Sequence, residues 1–188
     1  LVIDVGANLG THNVAYAERV GPTGRVIALE PNPDVVDCLR WNTRHLPTVT
    51  VWPVAAGDGD QAVGLYPNAY NAGASYISQW REIAPVVVPM YRLDTLVGTV
   101  RVDFLKIDAE GYDLRVLHGA AALIHQWHPT IVVETGTQLQ TFGDSHEDLV
   151  AWLRGQGYWP EPLPLERPWE ALERDVLAGD LLCRREAA

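Results

Sequence analysis

Leu1-Val2-Ile3-Asp4-Val5-Gly6-Ala7-Asn8-Leu9-Gly10-Thr11 opens the chain, and its reading decides the fold. A β-rich run that enters glycines and then a helix begins a nucleotide-binding α/β unit, whose ligand lies outside the carboxyl end of the strand. The dinucleotide fingerprint G-x-G-x-x-G brings glycine backbone up to a pyrophosphate at a helix N-terminus. Here the order is Asp4-x-Gly6-x-Asn8-x-Gly10, so the glycines fall at another spacing and Asp4 puts a carboxylate where a phosphate would be repelled. A ligand with adenosine at one end and sulfonium and ammonium charges at the other would accept that acid as a counter-ion. S-adenosylmethionine has this shape. For Asp4 alone, a strand-end acid capping a local turn remains an equal alternative.

Working outward, Arg25-Val26-Ile27-Ala28-Leu29-Glu30 reads as a second strand ending in an acid, the position from which ribose hydroxyls are bonded in this architecture. Asn32 is a good N-cap and Pro33 a good first helical residue, so a helix starts there with Val35, Val36 and Leu39 on its apolar side. Asp4, Gly6, Gly10 and Glu30 all fall at or just past strand ends, which makes cofactor binding the preferred reading of the group. Between the two strands, Thr11 is expected to cap a helix running to about Val20.

Further along, 49–56 reads as a third strand, with Pro53 suited to a sheet edge. Residues 61–102 break the alternation with strand-like pieces at 63–66, 75–78 and 85–91 and no helix of convincing period, which marks an insertion. The core pattern resumes with a fourth strand over 101–108. A helix carrying Leu114, Leu117, Ala121 and Ile124 follows, and then a fifth strand over 130–134. Ser145-x-x-Asp148 reads as a capping box before the last helix. A short sixth strand at Tyr158-Trp159, a proline-rich loop through Pro168 and a returning seventh strand over 180–184 complete the chain. The expectation is an α/β, doubly wound, mostly parallel seven-stranded sheet with an antiparallel last strand and a β-rich insertion between strands three and four. Residues 1–188 are read as one domain, with 61–102 as its insertion. Because the chain begins inside a strand at Leu1, an N-terminal segment is expected to precede it.

A formal net charge of −10 opposes a phosphate backbone and no basic patch offsets it, so nucleic acid is not the expected partner; a small-molecule or saccharide acceptor is. With 47% hydrophobic and 20% charged residues the chain has a globular composition. It carries neither an apolar run long enough to span a bilayer nor a signal-peptide pattern, so no membrane is expected. Cys38 and Cys183 are read as buried thiols outside any metal or redox spacing, in keeping with a cytoplasmic setting. No oligomeric state is read from the sequence.

The segments VIDVGANLGTHNVAYA, ALEPNP, VAAGDGD, DFLKIDAEGYD and IVVETG resemble those of the FkbM-type S-adenosylmethionine-dependent methyltransferases, within the Rossmann-like class I methyltransferases. The DFLKIDAEG block after an inserted β-region is the most family-specific of them. The resemblance runs to about Gly136. It implies methyl transfer, usually to a hydroxyl oxygen of a small natural product or sugar. It also implies that Asp4, Gly6, Asn8 and Gly10 hold the methionine part of the cofactor and Glu30 the ribose, and Thr11 is counted among the cofactor-binding residues. By the same resemblance Asp58 bonds the adenine amino group, the Asn32-Pro33 corner packs on the ring, and the Asn71 to Ser75 stretch borders the substrate.

In a parallel sheet, strands one to five bring Asp4, Glu30, Asp58, Asp108 and Glu134 to one rim. Methyl transfer aligns an oxygen with a sulfonium carbon and removes its proton. An aliphatic hydroxyl needs a general base or a divalent cation. Asp108 and Glu134 are the candidates there, as catalytic groups or as Mg²⁺ ligands; alternatively Asp108 only bonds cofactor and Glu134 only holds a loop. His12, opening the first helix, is a candidate base or, alternatively, a capping or surface residue. Tyr70, Tyr76, Trp80 and Trp169 either wall an acceptor pocket or pack the inserts onto the core. An NAD-dependent oxidoreductase and a non-catalytic cofactor-binding protein are the rival readings.

Overall fold

β1 (Val2–Val5) is apolar except for Asp4, and every one of its residues is buried, the pattern of a central parallel strand. It lies between β2 (Val26–Leu29) and β8 (Phe104–Ile107), with β3 (Val49–Trp52) at one edge of the sheet. On the other side follow β9 (Thr130–Thr135), β11 (Gly179–Arg185) and β10 (Tyr158–Pro162), giving the order β10-β11-β9-β8-β1-β2-β3. β11 is antiparallel to both its neighbours, and every other pairing in the sheet is parallel. The computed structural model describes residues 1–68, 75–78, 84–163 and 179–185.

Strand alternation sorts the sheet into two faces. Ile3, Val5, Leu105, Ile107, Ile131 and Val133 point into the main core, where Leu114, Leu117, Leu123, Ile124, Leu149 and Leu153 meet them. Those partners come from α4 (Asp113–Gly119), α5 (Ala121–Trp127) and α6 (His146–Gly155). The other face carries α1 (Thr11–Val20), which contacts β1 and β2, and α2 (Pro33–Thr43), whose Leu39 packs on Ala7 and Ala28. As expected, Asn32 caps α2, accepting from the Asp34 N–H with Pro33 in the first turn, and Ser145 and Asp148 form a reciprocal capping box on α6.

The inserted region is a second sheet of order β4-β7-β5-β6, formed by β4 (Ala55–Ala56), β5 (Gln61–Tyr66), β6 (Tyr76–Ser78) and β7 (Val86–Tyr91). Its Val63, Leu65, Ile77, Val88 and Met90 close over Tyr112 and Phe142. It therefore stands above the carboxyl ends of the parallel strands and roofs the cleft there.

Several expectations need correction. The third strand does not run through 49–56. It stops at Trp52, Pro53 interrupts the ladder, and Ala55–Ala56 pair with Met90 and Tyr91 in the second sheet. The insertion does contain a helix, α3 (Leu93–Val97), whose Asp94 accepts from the Ala122 and Leu123 N–H groups at 3.1 and 2.9 Å. Asp94 thereby caps α5, so the single helix expected after the fourth strand is two, divided at Ala120. Thr11 does not cap α1: Gly10, at φ 85°, holds that position with no side-chain bond. A 3₁₀ turn over Thr137–Phe142 went unforeseen. β10 extends through Pro160 to Pro162, which an edge strand tolerates because the missing N–H groups cost no ladder bond. Cys183 is buried, but Cys38 is exposed.

Candidate active site

A cleft with a mixed polar and apolar lining, as small-ligand sites have, opens between the rim of the parallel sheet and the second sheet. Gly6, Asn8, Glu30, Ser75, Asp108 and Glu110 bring its polar groups, and Val54, Ala55, Leu65 and Ile77 its apolar wall.

The glycine turn is fixed by sterics. Gly6 has φ 72°, and a Cβ there would sit 1.8 Å from the Asp108 carbonyl oxygen, so β1 and β8 close on each other only because the side chain is absent. The Gly6 and Ala7 N–H groups both donate to the Leu29 carbonyl at 3.0 Å, which ties this turn to the end of β2. Asn8 follows at φ 49°. Its N–H donates to Glu30 Oε2 at 3.0 Å, and its side-chain Oδ1 is buried without a hydrogen-bond partner. Glu30 accepts a second bond from the Asn32 N–H at 2.9 Å. Burial raises the Glu30 pKa above the ordinary carboxylate value, and the two N–H donors work against that rise. Glu30 is thus held in one orientation, with lone pairs left for the cleft. Asn32 also donates through Nδ2 to Ser75 Oγ at 3.1 Å, tying the start of α2 to the roof.

Asp4 lies one layer deeper. It is wholly buried, accepts from Asn13 Nδ2, and pairs with Lys106 Nζ at 3.5 Å. Lys106 is thus the cation in contact with Asp4, and burial still holds the Asp4 pKa above its ordinary value against the Lys106 and His12 charges. Lys106 Nζ also contacts Asp108 Oδ2 at 3.1 Å. Burial works to lower the Lys106 pKa, but the carboxylates of Asp4 and Asp108 outweigh it and hold the ammonium above its ordinary value.

Beyond Asp108 the acids face one another. Glu134 is pushed up to about 8 by burial, by the Asp108 charge and by the hydrogen bond it shares with Asp108. Asp180, opposite Glu134 in the β9–β11 register, is raised by burial and by Asp108, against Lys106 and His12. Glu110, at φ 50°, is raised by burial and by Asp108 and Asp113. Beneath this loop Asp113, about 6, accepts from the Ala109 and Gly111 N–H groups at 2.8 and 3.0 Å, and burial outweighs those bonds.

The structure therefore brings Gly6, Asn8, Glu30, Ser75 and Asp108 to one cleft, with Glu134 bonded behind Asp108. Gly10 and Thr11 lie beyond the turn at the start of α1, and Pro33 lies behind Asn32. Asp58 does not line the cleft: its carboxylate turns to Arg115, 3.4 Å away, because the chain leaves the main sheet at Pro53. His12 is exposed in the first turn of α1, with its ring 6.1 Å from Tyr16. Tyr76 stacks on Tyr66 at 5.7 Å and does not line the cleft. Asn71, Tyr70, Trp80 and Trp169 lie outside the described residues. Among the described residues no group of three or more His, Cys, Asp or Glu side chains is arranged to hold a metal, and no helix is long and apolar enough to cross a membrane. Lys106, Asn13 and Asp180 went unforeseen; the Asp4-to-Lys106 register across β1 and β8 was the missing signal.

A seven-stranded sheet with one antiparallel strand, a glycine turn after the first strand and a carboxylate closing the second defines the class I methyltransferase fold. Residues 4–159 match the methyltransferase FkbM domain, and the chain belongs to that family. Among solved structures it is similar to a methyltransferase FkbM from Methylobacillus flagellatus KT, at TM-score 0.61 and 18% identity over 97% of this chain and 42% of that one. It is also similar to a putative rRNA-methylase from Clostridium thermocellum, at TM-score 0.58 and 11% identity over 98% of this chain and 87% of that one. A third is Aeropyrum pernix fibrillarin in complex with natively bound S-adenosyl-L-methionine, at TM-score 0.58 and 12% identity, covering 97% and 65% of the two chains. The chain thus spans less than half of the Methylobacillus protein. Comparison with curated protein sequences finds no match.

Proposed function

We propose that this chain transfers a methyl group from S-adenosylmethionine to a hydroxyl oxygen of a small-molecule or saccharide acceptor. One observation carries the reading: the D-x-G-x-N-x-G turn and Glu30 meet at the mouth of a single cleft, with the Asn8 Oδ1 buried there and unpartnered. Glu30 would bond ribose hydroxyls, and Asn8 Oδ1 would accept from a hydroxyl or ammonium of the ligand. Ala55, Leu65 and Ile77 supply apolar wall for a flat base. S-adenosylmethionine brings an electrophilic methyl carbon on a sulfonium.

The protein's task is then to orient the acceptor oxygen and take its proton. Asp108, between Lys106 and Glu134, is the group placed for this, since its side chain is 38% exposed and lines the cleft. Burial and the Asp108 charge raise the Glu134 pKa, which favours a protonated Glu134 beside Asp108 and lessens the repulsion between the two acids. Lys106 already occupies the place beside Asp108 that a cation would take, which favours the base reading over Mg²⁺. The net charge of −10 favours an acceptor without a phosphate backbone.

The test is turnover to S-adenosylhomocysteine with a panel of hydroxylated acceptors, with and without chelator, beside binding of NAD. The proposal expects cofactor-dependent product that chelation leaves unchanged, and no NAD binding. Turnover restored only by Mg²⁺ would transfer the role to a metal. NAD binding in place of S-adenosylmethionine would end the proposal.

A further inference from the structure

The row of side chains beneath the rim is apolar at three of its five positions. In register across β2, β1, β8, β9 and β11 it reads Ala28, Asp4, Lys106, Val132 and Leu182. An ion pair is an expensive way to fill a sheet interior, because two charges leave water, and well-packed apolar residues of similar volume commonly serve the fold as well or better. Lys106 is 9% exposed at its side chain and Asp4 not at all. The pair therefore calls for a reason beyond folding.

The geometry supplies one. Lys106 Nζ is braced from below by Asp4 Oδ1 at 3.5 Å and reaches Asp108 Oδ2 at 3.1 Å. Ile107 and Val133 are register partners, which sets the next residues, Asp108 and Glu134, side by side at the rim. When two carboxyl groups share a proton, the one beside a fixed cation favours the ionised form, and the proton stays on the other. Other groups also face this cluster. Asp180 on β11, Glu110 in the loop after β8 and Asp113 on α4 add negative charge near Asp108 and Glu134, and Glu30 at the end of β2 faces Asp108 and Asp4; His12 and Tyr16 on α1 lie towards Asp4 and Asp180. Lys106 is the cation that contacts Asp108 among the described residues.

We propose that Lys106 is a positioning residue which, braced on Asp4, keeps Asp108 the ionised member of the Asp108–Glu134 pair and holds its carboxylate towards the cleft. On the methyltransferase reading, with which the proposal is linked, the proton leaving the acceptor goes to Asp108. Glu134 supports the anion by hydrogen bond, and Lys106 itself touches neither cofactor nor acceptor. Asp4, a motif acid, thus works through Lys106.

The test starts on the chain without cofactor. Carbon-13 labelling of Asp and Glu carboxyl groups, with assignment through Asp108→Asn and Glu134→Gln, reads who holds the proton at pH 7. The parent chain should show a carboxylic acid at Glu134 and a carboxylate at Asp108. In Lys106→Met the two should read alike, and Lys106→Arg should restore the difference. The double variant Asp4→Asn/Lys106→Met removes both buried charges, and so keeps the experiment available if Lys106→Met alone fails to fold. In turnover, Lys106→Met should lose about 100-fold in kcat at pH 7, move the acid limb of the pH profile up by about one unit and leave S-adenosylmethionine affinity within about threefold. An unchanged Asp108–Glu134 difference in Lys106→Met overturns the inference. So does a uniform loss of cofactor affinity without a shift in the pH profile. Absence of S-adenosylmethionine binding by the parent chain would instead count against the methyltransferase reading, leaving the carboxyl result to stand by itself.

Discussion

The two halves of the rim handle their acids in opposite ways. At the β1–β2 end, Glu30 is surrounded by donors: the Asn8 and Asn32 N–H groups fix its two oxygens. At the β8–β9–β11 end, Asp108, Glu134 and Asp180 face each other, with Lys106 beneath them. The two N–H donors hold Glu30 in one orientation and oppose the rise that burial imposes on its pKa, which suits ligand recognition. Acids ringed by acids must hold protons at pH values where a free carboxylate has lost them, which suits proton transfer. The same residue types, on the same edge of one sheet, are thereby divided between binding and chemistry.

The hardest way to break this division is at the seam between its halves. Gly6→Ala would drive a Cβ into the Asp108 carbonyl oxygen, 1.8 Å away, at a φ of 72°. We expect a loss of stability on the order of 4 kcal/mol and no measurable cofactor binding, read by urea unfolding and calorimetry. An alanine accepted without loss would mean that β1 and β8 are not locked at this point. Next in size is Asp113→Ala, which strips the acceptor from the Ala109 and Gly111 N–H groups and frees the loop that carries Glu110. It should cost about 2–4 kcal/mol. Asp113→Asn, which keeps one acceptor, should cost less, and equal losses would show that the loop does not depend on those bonds.

Glu134→Gln sharpens the comparison by pH. The folded-state pKa of Glu134, about 8, lies above its ordinary 4.5. Between those values the unfolded chain releases a proton that the folded chain retains, so this group's contribution to stability is fully present below about pH 4.5 and is lost as pH rises through 8. Glutamine removes the ionisation and keeps an N–H for Asp108. The variant should match the parent at pH 5 and exceed it at pH 8.5 by about 1 kcal/mol, or ~3 °C in Tm, a figure kept small because Glu134 is partly exposed to solvent. A parent chain whose stability rises over the same window would contradict the placement of the proton on Glu134.

Much of this was legible in the chain itself. The run 1–11, Glu30, and the Asn32-Pro33 and Ser145-x-x-Asp148 caps are signals written in consecutive residues, and the structure reproduces the strands and helices that they start, although the glycine turn and Glu30 find bonding partners in each other's strands. What escaped depends on contacts distant in sequence. A lysine inside DFLKID reads as ordinary strand alternation, and only the insertion of β1 between β2 and β8 sets it beside Asp4. Asp180 enters the rim only because β11 runs antiparallel against β9. Asp58 stands the right distance past a strand in sequence, but Pro53 sends the chain into the second sheet first. The break at Ala120 follows from Asp94, which the apolar spacing of the helix does not encode.

Calorimetric titration of S-adenosylmethionine into the parent chain, Glu30→Gln and Glu134→Gln tests the division most directly. Glutamine at position 30 keeps the shape but loses the charge that charge-assisted bonds to ribose hydroxyls need, so affinity should fall by on the order of 10- to 100-fold, or about 1–3 kcal/mol. Glutamine at position 134 should leave the Kd within about twofold, since that carboxyl stands behind Asp108 and does not line the cleft. Equal Kd values for Glu30→Gln and the parent chain, or a larger loss in Glu134→Gln than in Glu30→Gln, would contradict the account.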